Sequence, residues 1–390
     1  MTDFGNEGLA ELYRRPGSVS TVYADVTQAG EDPRRTSALR HRTLRESLEA
    51  AGAPSGDADT IVELIEEPPG VPGKVSRLMV VRGGKVEFNE LLPGEPLGEL
   101  IASFGPVPGL IPLFTQRPRD LSYVVAEVGR DGGEIRLFRL SQADPVAEED
   151  VQGDTEYITK VQVGFLSNSR YQRDTEEIWK RNEGQVADAI DEIVRDSGAE
   201  LLVVTGDVRA RQLLVAQLAR ATRDILTVVP TNTRPGGATT HDLEEDLDRH
   251  LASILAQDEY DALERLESGR GEGLAEIDFA AVVRLLQQGQ VEVLILDPAG
   301  LAGTTLIALD REPWVAATSA DALGAGELGE VAAADALARA ATLTDARVVV
   351  VSHGELPGDS TAGALLRWST LPATPEASAT SEASATSEAE

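Results

Sequence analysis

The chain has 390 residues, 35 basic against 66 acidic side chains, and a formal net charge of −31. It contains no cysteine, which excludes disulfides, thiolate zinc sites, iron–sulfur clusters and cysteine nucleophiles. The histidines His41, His241, His250 and His353 lack metal-ligand spacing, so neither a zinc hydrolase nor any cofactor is expected. The charge also argues against indiscriminate nucleic-acid binding, which depends on phosphate neutralisation, while leaving room for a local basic patch. Lysine is confined to Lys74, Lys85, Lys160 and Lys180. The arginine bias fits genomic base composition or planar, bidentate phosphate contact. No run approaches the ~18 apolar residues of a membrane span, and the opening MTDFGNEGLAELY has no signal-peptide pattern. A cytoplasmic protein without a membrane partner is expected.

At roughly 100–200 residues per domain, the length implies two or three domains. In residues 1–118, SVSTVYADV reads as a strand. An arginine-rich helix follows to Gly52, with Leu39, Leu44 and Leu48 on one face. Two strands then turn at Gly83-Gly84, and a proline-rich stretch ends near Arg117-Pro118. Residues 119–273 open with a hairpin, LSYVVAEV and EIRLFRL around a glycine-rich turn, with a third strand expected at 157–163. A polar loop, GFLSNSRYQR, leads to a long helix from about Gln172 to Arg195, on which Trp179, Val186, Ile190 and Ile193 share a face. LLVVTGD, VRARQLLVAQLAR, DILTVVPT and a helix from about Thr240 to Glu267 alternate strand and helix, implying parallel strands with crossovers. Ser268–Gly273 reads as a flexible linker. Residues 274–370 repeat the pattern and suggest a three-layer α/β/α sandwich. Residues 371–390, with EASATS twice, lack large apolar side chains past Leu371 and read as a disordered acidic tail.

Three strand ends carry polar residues: Thr205-Gly206-Asp207, Asp297-Pro298 and Ser352-His353-Gly354. None has the spacing of a Walker or dinucleotide loop or of a Gly-x-Ser-x-Gly elbow, so they read as punctuation. Two acid-free basic stretches stand out. One is Pro33–Arg45, with Arg34, Arg35, Arg40, Arg42 and Arg45; the other is Tyr157–Arg173, with Lys160, Arg170 and Arg173. Arg170 and Arg173 flank Tyr171, a combination suited to phosphate pairing and base stacking. The same arginines suit ion pairs with Asp174, Glu176 or Glu177.

The run Ser167-Asn168-Ser169-Arg170-Tyr171-Gln172-Arg173 before a long charged helix resembles the Ser-x-x-Arg-Phe-x-Arg segment of the archaeo-eukaryotic class-one release factor family, which includes Pelota. The closing STAGALLRW is similar to that family's C-terminal end. The resemblance covers about 119–370. Residues 1–118 match poorly and lack the Asn-Ile-Lys-Ser stop-codon motif. The resemblance implies an α/β protein of three domains. The central one would be ribonuclease-H-like, and the C-terminal one a sandwich like kink-turn-binding ribosomal proteins. Where the family has Gly-Gly-Gln, this chain has Gly164-Phe165-Leu166. Leucine neither donates nor accepts a hydrogen bond, and Phe165 removes a glycine's freedom. The bacterial branch is the closer home, with its Balon-like and mycobacterial members associated with ribosome hibernation and its kinship to Vms-type peptidyl-tRNA hydrolases. The resemblance therefore implies a non-hydrolytic factor in the ribosomal A site. Lys160, Gly164, Phe165, Leu166, Ser167, Asn168, Ser169, Arg170, Tyr171 and Arg173 would lie near the peptidyl-transferase centre, with Arg34, Arg35, Arg40 and Arg42 toward the decoding region. The implied partners are ribosomal RNA, tRNA and elongation factor Tu. The alternative is a peptidyl-tRNA hydrolase or tRNA nuclease in ribosome rescue, with Ser167, Asn168 and Gln172 holding a water.

Overall fold

The computed structural model describes residues 6–27, 33–69, 74–98, 100–117, 120–129, 131–140, 142, 144–153, 168–229 and 240–371. Its N-terminal part contains helix α1 (Asn6–Arg14), strand β1 (Val19–Asp25), α2 (Pro33–Ala50), α3 (Ser55–Glu66), β2 (Val75–Arg82), β3 (Lys85–Pro93), β4 (Leu100–Gly105) and α4 (Ile111–Gln116). The strands form an antiparallel sheet in the order β3-β2-β1-β4. Gly83 and Gly84 both have positive φ, +57° and +76°, as the tight β2–β3 turn requires. β1 is buried on both faces. Val22 and Ala24 meet Leu44 and Leu48 of α2 and Ile61 of α3, whereas Val19 and Tyr23 belong with Leu9 and Leu12 of α1 and Leu113 of α4. Within the stretch read only as proline-rich, β4 and α4 form. Leu110, Leu113 and Phe114 supply an apolar anchor that Pro112, near the helix start, does not disturb.

The central part contains β5 (Ser122–Gly129), β6 (Gly132–Arg139), β7 (Ala147–Gln152), α5 (Asn168–Ser197), β8 (Leu201–Gly206), α6 (Val208–Gln217), α7 (Arg220–Asp224), β9 (Leu226–Val228) and α8 (Thr240–Gly269). The sheet order is β7-β6-β5-β8-β9, with β5, β6 and β7 antiparallel and β5, β8 and β9 parallel. This is the ribonuclease-H-like arrangement. The meander's third strand is Ala147–Gln152; the strand expected at 157–163 lies outside the described residues. β7 reads AEEDVQ and is almost wholly exposed. Its acids guard an edge rather than fill a core, so it shows no apolar alternation.

The C-terminal part contains β10 (Ala275–Glu276), α9 (Phe279–Gln287), β11 (Val291–Leu296), β12 (Thr305–Leu309), β13 (Val315–Ala316), β14 (Glu327–Ala332), α10 (Ala333–Leu343), β15 (Arg347–Val350) and β16 (Ala362–Leu366). Its sheet runs β10-β16-β11-β15, and β13-β12-β14 form a separate small sheet. Alternation along β11 explains the three layers. Leu294 and Leu296 pack with α9 and α10, while Val293 and Ile295 pack with Ala262 and Leu266 of α8. Earlier along the same helix, Leu251, with Leu247 and Ile254 beside it, packs on Leu121, Val125, Leu201 and Val203 of the central sheet. One helix thus covers two sheets. The segment read as a flexible linker is ordered: α8 runs through Gly269 into a 3₁₀ turn at Arg270–Glu272. Ser369 Oγ then donates to the Glu272 carbonyl at 2.6 Å, and Thr370 N–H to the Gly273 carbonyl at 2.9 Å. The expected acidic tail past Leu371 lies outside the described residues.

The N- and C-terminal sheets share one apolar core, with α1 and α4 packed against α10. Polar groups are sealed into this seam. Arg339, 2 % exposed, donates to the Trp314 carbonyl at 3.1 Å and the Tyr13 carbonyl at 3.4 Å, and lies 5.5 Å from the Trp314 ring centre. Burial lowers its pKa to about 10. Asp335 accepts from the Ile111 backbone N–H, yet burial pushes its carboxyl up to about 7. Burial, reinforced by Asp335, raises the Tyr13 hydroxyl well above its ordinary range.

Candidate functional site

Within the described residues, Pro33–Arg45 falls in α2 and Asn168–Arg173 in α5. Lys160 and Gly164–Ser167 lie outside the described residues. Helix α5 begins at Asn168, so Ser169, Arg170, Tyr171 and Arg173 occupy its opening turns rather than a loop reaching Gln172. No glycine or proline interrupts the chain between Phe165 and Asn182, and Arg, Gln, Glu and Lys there are good helix formers. The first turn of α5 carries no acid. Arg34 and Arg35 lie in the first turn of α2, and Arg40 and Arg42 farther along it. Arg42 is exposed and 3.7 Å from Glu46, one turn on. Such a pair is weak and leaves the guanidinium available.

Deeper in α5, Val186 and Ile190 are buried against Val124, Ala126 and Ile135 of the central sheet and Ala210 and Leu214 of α6. The expected apolar face is present, and one turn before it the same face turns polar. Glu183 is fully buried, and neither of its carboxylate oxygens has a hydrogen-bond partner. Burial, with Asp207 and Asp131 close by, pushes its pKa up to about 8. Beside it runs a groove of about 660 Å³ along the β5–β6 turn and the end of β7. Its lining includes Glu127, Asp131, Glu134, Asp150 and Asp207. Arg136 answers two of these acids, lying 3.3 Å from Glu134 and 4.0 Å from Glu127. Asp207 caps α6, its Oδ1 accepting from the N–H groups of Arg209 at 2.8 Å and Ala210 at 3.2 Å. Thr205-Gly206-Asp207 is thus helix punctuation, its carboxylate taking the amides a phosphate would need.

A second arrangement sits at the ends of β11 and β15. Asp297, 1 % exposed, holds His353 Nδ1 at 2.8 Å through Oδ2, and its Oδ1 accepts the Gly300 N–H at 2.8 Å. Burial raises the Asp297 pKa, but these hydrogen bonds outweigh it and leave the carboxylate below its ordinary range. The backbone N–H of Ser352 is bound by Glu355 at 3.0 Å. His353 is therefore oriented by an aspartate from a different strand.

Residues 122–272 match the model of bacterial archaeo-eukaryotic release factor family 2. Over this segment the chain is similar to the bacterial archaeo-eukaryotic release factors. The matched segment runs from the first strand of the central sheet to the end of α8, and so includes the Gly164–Arg173 run, Glu183 and the acidic groove. Among relatives of this chain, the uncharacterized protein Rv2629 of Mycobacterium tuberculosis strain H37Rv is 28 % identical over 377 residues, spanning 93 % of this chain and 97 % of the relative. The uncharacterized protein MT2704 of strain CDC 1551 matches equally. Similar solved structures include the archaeal translation termination factor aRF1, 13 % identical with a TM-score of 0.26, covering 94 % of this chain and 99 % of that one. A model of ribosome-bound archaeal Pelota and ABCE1 is 14 % identical with a TM-score of 0.37, covering 95 % and 96 %.

Two features of this chain escape sequence reasoning. Glu183 looks like one more acid on a charged helix, although its place three residues before Val186 and seven before Ile190 puts it on the buried face. The Asp297–His353 pair leaves a clearer trace. Asp297 directly follows β11 and His353 lies three residues past the end of β15, and parallel pairing of Leu296 with Val350 brings those strand ends together.

Proposed function

We propose that this release-factor homologue is a non-hydrolytic ribosome-binding factor of hibernating cells, occupying the A site with residues 164–173 toward the peptidyl-transferase centre. The observation that carries this reading is the composition of that run inside the family-matched segment. Gly164-Phe165-Leu166 offers no side chain that could organise a water, while Ser167–Arg173 keeps the RNA-directed residues. An acid-free first turn supports it, since a helix N-terminus favours an anion. Arg170 and Arg173, three residues apart, occupy the same side of α5. In this reading they and Lys160 contact ribosomal RNA phosphates, and Tyr171 stacks on a base or ribose. Ser167, Asn168 and Ser169 line the tip, and Phe165 and Leu166 fill space beside the tRNA acceptor end. Arg34, Arg35, Arg40 and Arg42 of α2 face the decoding region, and the C-terminal sheet docks elongation factor Tu.

Sucrose-gradient sedimentation of lysate from starved cells at low salt tests it. The protein should travel with ribosomes, and the Arg170→Ala/Arg173→Ala variant should remain at the top. Wild-type protein at the top of the gradient removes the ribosomal role. Peptide release or CCA-end cleavage from stalled peptidyl-tRNA, lost on changing Ser167, Asn168 or Gln172, would replace this reading with the rescue-enzyme one.

A further inference from the structure

We infer that a cavity at the free edge of β15 binds an uncharged adenine nucleoside, its base read by the main chain of Val350 and the side chain of Gln116. β15 is the outer strand of the C-terminal sheet and pairs with β11 alone among the described residues. The Val351 N–H donates to the Leu296 carbonyl at 2.9 Å. Alternate residues of a parallel strand bond to the neighbouring strand. Val349 and Val351 therefore turn their main-chain groups toward β11, and Val350, between them, turns its N–H and C=O away. Among the described residues neither group has a hydrogen-bond partner. Such an edge is a template for an incoming donor and acceptor.

Beside that edge lies a cavity of about 270 Å³. Its described lining includes Gln116 of α4, Ala252, Leu255 and Ala256 of α8, and Val349 and Val350, but no residue of β11. Val349 packs with Ala262 and Leu266 of α8, whereas Val350 packs against the core on the other face of the sheet. A cavity bounded by both lies at the rim of the sheet, where Val350 presents main chain rather than side chain. Gln116 adds a second unmet acceptor. Its Nε2 donates to the Glu95 carbonyl at 3.0 Å, and its Oε1 is buried without a partner.

The groups present select the ligand. Two acceptors, the Val350 carbonyl and Gln116 Oε1, stand with one donor, the Val350 N–H. A ring nitrogen beside an exocyclic amine supplies one acceptor and two donors, as in adenine and cytosine, whereas uracil has a single ring N–H. The apolar wall of Ala252, Leu255 and Ala256 favours the larger purine. The charges favour a neutral molecule. Asp258, in the lining, is answered by Arg347 at 3.7 Å. Glu259, also in the lining, is hydrogen-bonded to Glu355, and burial together with that bond pushes its carboxyl up to about 7. A phosphate would meet two acids and an arginine already engaged. An extended peptide fits less well, because Val348, the next residue facing outward, does not line the cavity and a strand ladder would stop after one residue.

The test is isothermal titration calorimetry of the full chain at pH 7. The probes are adenosine, N6,N6-dimethyladenosine, uridine, adenosine 5′-monophosphate and the peptide acetyl-Val-Thr-Val-amide. Adenosine should bind. Dimethyladenosine, which has lost both amine protons, should bind at least about tenfold more weakly, and uridine at least about fivefold. The monophosphate should bind about threefold more weakly or worse. Gln116→Leu, which removes the acceptor at similar size, should weaken adenosine about fivefold. Ala256→Leu, at an exposed position on α8, should fill the cavity and abolish binding while moving the melting temperature by no more than about 2 °C. No binding at millimolar adenosine would overturn the inference. So would dimethyladenosine, uridine or the monophosphate binding as tightly as adenosine, or adenosine binding unaltered in both variants. Tighter binding of the peptide, removed by Ala256→Leu, would replace it with strand addition. Because no ribosome is present, the result is independent of the ribosomal reading.

Discussion

Asp335, half-buried, and Glu183, fully buried, are both acids pushed toward neutrality, to about 7 and about 8. Their settings differ. Asp335 lies in the seam between the N- and C-terminal sheets, accepts the Ile111 N–H and has Tyr13 beside it, itself adjacent to Arg339. Glu183 has no hydrogen-bond partner and has the acids Asp207 and Asp131 close by. A buried acid with a donor from the facing element joins two parts of a fold. One without such a donor adds a cost that the surrounding packing must offset.

The contrast is broken most forcefully at the seam. Arg339→Ala would strand the carbonyls of Tyr13 and Trp314 and leave a cavity among the largest buried side chains. Chemical denaturation should show a loss of about 3 kcal/mol or more. Asp335→Asn asks whether the seam is strained by charge. The folded pKa of Asp335 lies above its ordinary value, so the native state keeps a proton that the unfolded chain releases. Its contribution is complete below about pH 4 and is lost as pH rises through about 7. Wild type and Asp335→Asn should therefore match near pH 4, and the variant should be more stable at pH 8 and above. The shift sets a ceiling of about 4 kcal/mol, and relaxation should leave about 2 kcal/mol in urea titrations.

Glu183→Gln sharpens the comparison from the other side. The sign is the same, with stability matched below about pH 4 and a gain for the variant that builds as pH rises and is complete above about pH 8. The gain should be smaller, about 1 kcal/mol, because water entering the groove screens the charge. The smallest stability effect belongs to Arg170→Ala/Arg173→Ala. Thermal melting should move by no more than about 1 °C while ribosome co-sedimentation falls several-fold. A clear drop in melting temperature would instead assign these arginines to ion pairs with Asp174, Glu176 or Glu177.

Much of the scaffold is legible in the sequence because it rests on periodicity. Val186 and Ile190 on α5, the alternating strands β5 and β6, and the arginine-rich α2 all follow from burial of one face. β7 is not legible, since an exposed acidic edge strand carries no apolar signal. Nor is the start of α5 at Asn168, where polar helix formers look like loop. The candidate tip is legible only as a string of residue types. Glu183 and the Asp297–His353 pair depend on tertiary neighbours; pairing of parallel strand ends is the only hint of the second.

The long helix α8 bears on how the molecule can be cut. Its first half completes the wall behind Leu201 and Val203, and its second half roofs Val293 and Ile295. A truncation that keeps the central sheet but drops this rod uncovers one greasy surface, and a fragment begun after it uncovers another. Bisecting the polypeptide at Gly273 gives the rod wholly to one half and leaves the C-terminal sheet without a layer. Expression of the pieces as independent proteins should accordingly need the rod in both.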